Sequence, residues 1–191
     1  MPQSKPKPIS FSPALPQLFG LFWYSLKHPR RYADLIPFKG GFVEGSIFLL
    51  TCLALDLVGR IILHTIVTHD PVTIFQGTTE GLITLIIIYL LYLVTSLVLF
   101  FLSKLIRGQA AWINIFRCLA YSSVVVIGFW LPILRLVLIL YSLYFLLISL
   151  SRSNDYPITM AIFTVLTPIL AVGLVLAMLG LWDLNLLTIS W

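Results

Sequence analysis

An acid, an arginine and a histidine follow one another at intervals of four residues inside an apolar stretch, LALDLVGRIILH. Four residues advance about 400° around an α-helix, so Asp56, Arg60 and His64 are predicted to lie along one face. An aspartate and a histidine on one face could relay a proton, whereas an aspartate and an arginine could form an ion pair. Which chemistry applies depends on the elements that hold this face and on the medium around them.

The composition indicates that the medium is a membrane. Of the 191 residues, 60% are hydrophobic and 10% are charged, and the mean hydropathy is +1.04. Soluble domains contain about 25% charged residues. Several windows of about 20 residues have no charge, and that length crosses the ~30 Å hydrocarbon core of a bilayer. The chain is therefore predicted to be an all-α integral membrane protein.

Five transmembrane helices are predicted from the apolar segments. The second, GLITLIIIYLLYLVTSLVLFFLS, has no charge. The apolar stretch 113–150 is too long for one span, so Pro132, beside Trp130, is predicted to divide it. A polar loop is expected at 68–80. The membrane domain, residues 42–182, has its predicted spans at 42–67, 81–103, 113–130, 131–150 and 158–182.

The two ends of the chain are predicted to lie outside the spans. Residues 1–13 are rich in proline and are predicted to be disordered. Residues 14–41 are predicted to form a cytoplasmic interfacial amphipathic helix and a linker; a helix packed on the protein's own spans is the alternative. Residues 183–191 are predicted to be an outer tail. The basic residues expected at the membrane surface, near anionic lipid, are Lys27, Arg30, Arg31 and Lys39.

The basic residues also predict an orientation. Apart from Arg60 and Arg135, every Lys and Arg falls on one side of the five-span topology, and Arg117 is included among these flanking cations. The positive-inside rule then predicts a cytoplasmic N-terminus and a C-terminus on the outer or lumenal side. The net charge of +5 does not indicate a nucleic-acid partner, because the cations form no concentrated patch.

Three interpretations of the polar residues in the first span remain open. An ionised Asp56 near the bilayer midplane costs on the order of 3 kcal/mol, so it needs a partner, either Arg60 or Arg135 of the fourth span. A structural cluster would fasten the two spans together. A proton or ion relay from His64 is the second interpretation, and binding of lipid headgroups or a partner by the arginines is the third. In the inner half, a relay could use only hydroxyls such as those of Thr51, Ser96 and Thr164.

Small residues one turn apart in the last span allow close contact with another helix. They are Thr167 with Ala171 and Gly173 with Ala177. The contacted helix could belong to the same bundle or to a partner. No enzyme, cofactor or metal site is predicted, because the three histidines have no metal-ligand spacing and no nucleophile-base pattern occurs.

Two segments resemble one known family. The first segment is HPRRYADLIPFKGGFVEGSIFLL (28–50). It resembles the opening of YIP-family membrane proteins, which are named for interaction with Ypt/Rab GTPases. The second segment is FLSKLIRGQAAWINIFRCLAYSSVVVIGFWLPIL (101–134). It resembles the family's pattern of a glycine after the second span, a short amphipathic approach and a proline-bounded hairpin. The resemblance covers 28–178 and implies a five-helix membrane domain with an outer C-terminus and no established reaction. The acidic DLYGP-type motif of eukaryotic trafficking members is absent, which argues against GTPase binding. The compact form resembles prokaryotic members, so a prokaryotic plasma or internal membrane is expected.

The function predicted from the sequence is that of a non-enzymatic scaffold, assembly factor or accessory subunit. Its expected partners are membrane lipids and other integral membrane proteins, reached through helix contacts, because little of the chain lies outside the bilayer. The alternative is a proton- or ion-coupled transporter or channel component that uses the Asp56, Arg60 and His64 column.

Overall fold

The described part of the chain is a bundle of helices. The structure, a computed structural model, describes residues 15–36, 41–68 and 71–178, and these contain no strand. The predicted all-α fold class is confirmed for this part of the chain. The helices are α1 (Leu15–Lys27), α2 (Pro29–Leu35), α3 (Phe42–Thr68), α4 (Pro71–Leu105), α5 (Trp112–Ser122), a 3₁₀ helix (Ser123–Gly128), α6 (Pro132–Asn154) and α7 (Ile158–Met178).

Three of the described helices are long and apolar enough to cross a bilayer. Their apolar segments are Phe42–Leu63, Thr78–Leu105 and Leu134–Asn154. Two shorter apolar segments, Trp112–Gly128 and Ile158–Ala171, lie among them. The prediction of an integral membrane protein built from apolar helices is confirmed.

The segment expected to be a polar loop between the first two spans is helical from Pro71 onward, so the loop prediction is wrong over that part. Proline is favoured in the first turn of a helix, where its missing N–H has no helical partner to lose. The hydropathy of the sequence identified Gly81, where the apolar residues begin. The helix α4 itself begins earlier, at Pro71. Residues 69–70 lie outside the described residues.

The core of the bundle is formed by α5 and the 3₁₀ helix. Every residue from Ile115 to Gly128 is buried. This segment packs against α3, α4 and α6. The sequence predicted one helix to a break at Pro132, but the change to 3₁₀ geometry comes at Ser123. The Ser122 and Ser123 hydroxyls donate to carbonyls three residues back, which competes with the α-helical ladder.

The N-terminal helix α1 packs on this core. Leu18 and Ser25 are buried, and the helix contacts the 3₁₀ helix. Its other side exposes Phe19 and Trp23. The described contacts therefore give α1 a packed side, and its position relative to lipid headgroups stays a prediction.

Hydrogen bonds fix α1 and α2 to the bundle. The Tyr141 hydroxyl of α6 donates to the Leu26 carbonyl at 2.7 Å, at the end of α1. The Tyr32 hydroxyl of α2 donates to the Tyr121 carbonyl at 3.0 Å, and Tyr32 is fully buried. Burial raises the pKa of Tyr32 well above its ordinary value, so this hydroxyl remains a donor. The segment before the first long apolar helix is part of the folded domain.

Candidate functional site

The predicted Asp56 and Arg60 side chains are in contact. Arg60 Nε donates to Asp56 Oδ2 at 2.9 Å, one helical turn away. The Asp56 side chain is 9% exposed and that of Arg60 is 30% exposed. The pair lies within α3, so the contact itself joins no two helices. It neutralises an acid that apolar surroundings would otherwise disfavour.

The turn before α6 lies next to this pair. The Trp130 indole lies so close to α3 that a Cβ at Gly59 would come within 2.6 Å of it. Arg135 is exposed in the first turn of α6 and acts electrostatically on the Asp56 carboxylate. The structure thus brings Asp56, Arg60 and Arg135 to one region, and the side chain of His64 lies outside the described residues.

The hydroxyls that a relay would need in the inner half all donate to their own helices, although Ser96 also accepts the Trp112 indole N–H at 2.9 Å. Each donates to a backbone carbonyl three or four residues earlier, which is the ordinary way in which a helix satisfies a buried hydroxyl. A proton path would need these donors to face one another instead. The bonds are Thr51 to Ile47 at 2.7 Å, Ser96 to Leu93 at 2.7 Å and Thr164 to Met160 at 2.8 Å.

A second ion pair joins two helices, and the sequence analysis did not find it. Arg117 of α5 is completely buried, and its Nη2 lies 3.3 Å from Oε2 of Glu44 in the first turn of α3. Its guanidinium also lies 5.9 Å from the centre of the Tyr121 ring. The sequence analysis counted Arg117 only among the cations on the cytoplasmic side, and the structure shows that its side chain is buried beside Glu44. Apolar residues on both sides of Arg117 were the available signal, but they do not identify its partner.

Gly45 makes the close approach of α3 and α5 possible. A Cβ at this glycine would lie 3.2 Å from the Phe116 ring and 3.3 Å from the Arg117 side chain. Glu44 also accepts the Gly41 amide at 3.0 Å, which fixes the carboxylate at the start of α3. Gly45 therefore permits the contact that holds the buried arginine, whereas a Cβ at Gly41 would meet only the Val43 amide at 4.0 Å.

A buried asparagine connects the ends of three helices. Asn154 Oδ1 accepts the Ser103 hydroxyl of α4 at 2.6 Å and the Ala110 amide before α5 at 3.1 Å. Its Nδ2 donates to the Leu150 carbonyl of α6 at 3.1 Å. Gly108 packs so closely here that a side chain would collide with Ser103 and Asn154. The predicted spans leave Asn154 between 150 and 158, whereas the structure places it at the end of α6.

This architecture corresponds to a known family. The Yip1 domain matches residues 23–180 of the chain. The chain belongs to the Yip1 domain family. The resemblance to YIP-family proteins found in the sequence is confirmed. No curated protein and no solved structure matches the chain.

The Yip1 domain begins within α1, so the basic residues at the junction of α1 and α2 belong to it. Lys27, Arg30 and Arg31 are exposed there. Lys39 lies outside the described residues. The Yip1 family is in general a family of non-enzymatic membrane proteins that interact with other proteins, so these cations are binding rather than catalytic candidates.

The last helix of the Yip1 domain presents part of its predicted packing face outward. Thr167 and Ala171 of α7 are both exposed, and the Thr167 hydroxyl donates to the Phe163 carbonyl at 2.7 Å. The side chains of Gly173 and Ala177 lie outside the described residues. The described half of this face is therefore not used for packing within the bundle.

Proposed function

We propose that this Yip1-domain protein is a non-enzymatic scaffold, assembly factor or accessory subunit that binds other membrane proteins laterally through α7. The single observation that carries the proposal is the exposed pair of small residues, Thr167 and Ala171. Small residues let two helix backbones approach closely in lipid, where no hydrophobic force drives helices together. The Thr167 hydroxyl is already bonded within its helix, so a partner meets no unsatisfied polar group.

The α7 helix also exposes large hydrophobic side chains, as α4 does. On α7 they include Phe163, Leu166, Leu170 and Leu174. Thr167 and Ala171 are smaller exposed side chains among them, and their size is what permits a close approach of another helix.

The ion pair of α3 supports a structural role in the same protein. Asp56 Oδ2 accepts from Arg60, and each of the inner-half hydroxyls donates to a carbonyl of its own helix. The described polar groups thus give no support to the transporter interpretation.

The test is purification of the full chain in mild detergent from its native membrane, followed by mass spectrometry of the proteins that accompany it. The Thr167→Leu and Ala171→Leu double variant should lose a stoichiometric membrane partner that the wild type retains. The matched control is Thr95→Leu with Ala54→Leu, which adds the same bulk at exposed positions of α4 and α3. Retention of the same partner by both double variants would contradict the proposal.

We further propose that α5 with the 3₁₀ helix and α7 complete five spans, with a cytoplasmic N-terminus. Eleven α-helical and six 3₁₀ residues extend about 28 Å, close to the hydrocarbon thickness. Single cysteines at Gln109 and Thr79 test the topology, because both native cysteines are buried. Labelling of Gln109→Cys only from the cytoplasm, and of Thr79→Cys only from outside, is the expected result.

A further inference from the structure

A basic groove lies between α2 and the second half of α6. Two adjoining cavities, of about 310 and 260 Å³, share Arg30 and Tyr144. The first is also lined by Ile148, Ser151, Arg152 and Ile158. The second is also lined by Lys27, His28, Pro29 and Arg31.

The fold fixes the basic wall of this groove at both ends. Arg152 Nη1 donates to the Arg30 carbonyl at 3.2 Å and so ties the end of α6 to α2. Tyr141 holds the end of α1 through the Leu26 carbonyl. Pro29 starts α2 directly afterwards, which sets the direction of the chain between these two bonds. The cations are therefore placed by structure and are not merely adjacent in sequence.

The groove combines positive charge with an apolar wall. Four Lys and Arg side chains line the two cavities, and none of the described lining side chains is acidic. Cations gathered in this way attract an anion. Ile148 and Ile158 form an apolar wall, and Tyr144 lies eight residues, about 12 Å along α6, from Arg152. A ligand that fits is anionic at one end and apolar at the other.

We propose that this groove binds one anionic glycerophospholipid, its phosphate held by Arg30 and Arg152 and an acyl chain placed against Ile148 and Ile158. The polar end of a membrane-crossing helix lies at the headgroup level, where such a lipid is available. Only Ile158 of the lining belongs to α7, and it lies nine residues before Thr167, so the site stands whether or not the Thr167 and Ala171 surface binds a protein.

The probe is phosphatidylglycerol, with phosphatidylcholine as the zwitterionic comparison. The full chain is freed of lipid in detergent, titrated with each lipid, and bound lipid is counted by native mass spectrometry. One phosphatidylglycerol per chain should bind in preference to phosphatidylcholine. Arg30→Gln should weaken binding about fivefold, and adding Lys27→Gln should weaken it about 30-fold, from about 1 kcal/mol per surface cation.

The control variant is Arg107→Gln, an exposed cation that lines neither cavity and should leave binding unchanged. Arg30→Lys keeps the charge and should retain binding, and each variant should unfold at the wild-type temperature without lipid. Equal binding by wild type and the double variant, or loss in Arg30→Lys equal to that in Arg30→Gln, would overturn the proposal. So would displacement of the lipid by an equal concentration of inorganic phosphate, since the apolar wall would then contribute nothing.

Discussion

The two ion pairs of the bundle differ in what they connect. Asp56 and Arg60 lie one turn apart in α3, whereas Glu44 and Arg117 come from α3 and α5. Each pair has one buried and one partly exposed side chain: Asp56 is 9% and Arg60 30% exposed, whereas Arg117 is 0% and Glu44 27% exposed. A local pair forms in an isolated helix, but the second pair exists only when the bundle is assembled. The second pair is therefore the one that reports on tertiary structure.

The difference also sets the cost of breaking each pair. Removing one partner of a buried pair leaves an uncompensated charge, which costs about 3–5 kcal/mol. Losing Arg60 leaves the buried Asp56 acceptor without its partner, which costs about 1–3 kcal/mol and is expected at the lower end of that range because Arg135 is also near. The comparison predicts an order of effects that stability measurements can test.

The largest effect is expected for Glu44→Gln. This change leaves the buried Arg117 without its anion and should lower the free energy of unfolding by about 3–5 kcal/mol. The measurement is reversible unfolding in mixed detergent, followed by circular dichroism. Glu80→Gln is the matched control, since Glu80 is an exposed carboxylate on α4, and it should change stability by less than about 0.5 kcal/mol.

A double variant sharpens the same comparison. Replacing both partners, Glu44→Gln with Arg117→Leu, removes the buried charge and should recover most of the stability that Glu44→Gln loses. If the double variant is as unstable as the sum of the two single changes, the ion pair is not the source of the loss.

An intermediate effect is expected beside the first pair, at Gly59. Gly59→Ala would drive a methyl group into the Trp130 indole, and overpacking of this kind costs about 1–3 kcal/mol. Gly20→Ala in α1 meets nothing within 4 Å and should instead gain up to about 1 kcal/mol from helix propensity. Unfolding of the two variants in parallel decides this, and equal stability would show that the Trp130 contact is not close.

The smallest effect is expected for Arg60→Gln. Arg60→Gln leaves the buried Asp56 with Arg135 as a nearby cation, so it should cost about 1 kcal/mol, the lower end of the range for a buried group that loses its partner. The same unfolding titration measures it. A loss as large as that of Glu44→Gln would mean that Arg60, too, holds helices together.

The sequence was sufficient for properties that depend on local composition. Apolar length predicted the three helices that are long enough to cross a bilayer, and the four-residue spacing made Arg60 one of the two candidate partners of Asp56. It was insufficient wherever one helix meets another. Neither the partner of Arg117 nor the two interhelical bonds of Asn154 can be read from spacing, because their partners are 73 and 44–51 residues away.

The predicted helix boundaries were wrong for a related reason. Hydropathy locates apolar residues, but α4 begins at Pro71, ahead of its apolar segment. The 3₁₀ helix was not predicted because the hydropathy of Ser123–Gly128 does not distinguish a 3₁₀ helix from an α-helix. Its geometry depends on the serine hydroxyls that bond to the preceding turn.

The most direct test of the proposed role is site-specific photocrosslinking in the native membrane. A photoreactive residue in place of Ala171 on α7 is compared with one in place of Ala54 on α3, both exposed alanines. We expect a discrete crosslinked protein band from position 171 and only lipid adducts from position 54. Lipid adducts alone from both positions would contradict a scaffold that binds its partners through α7.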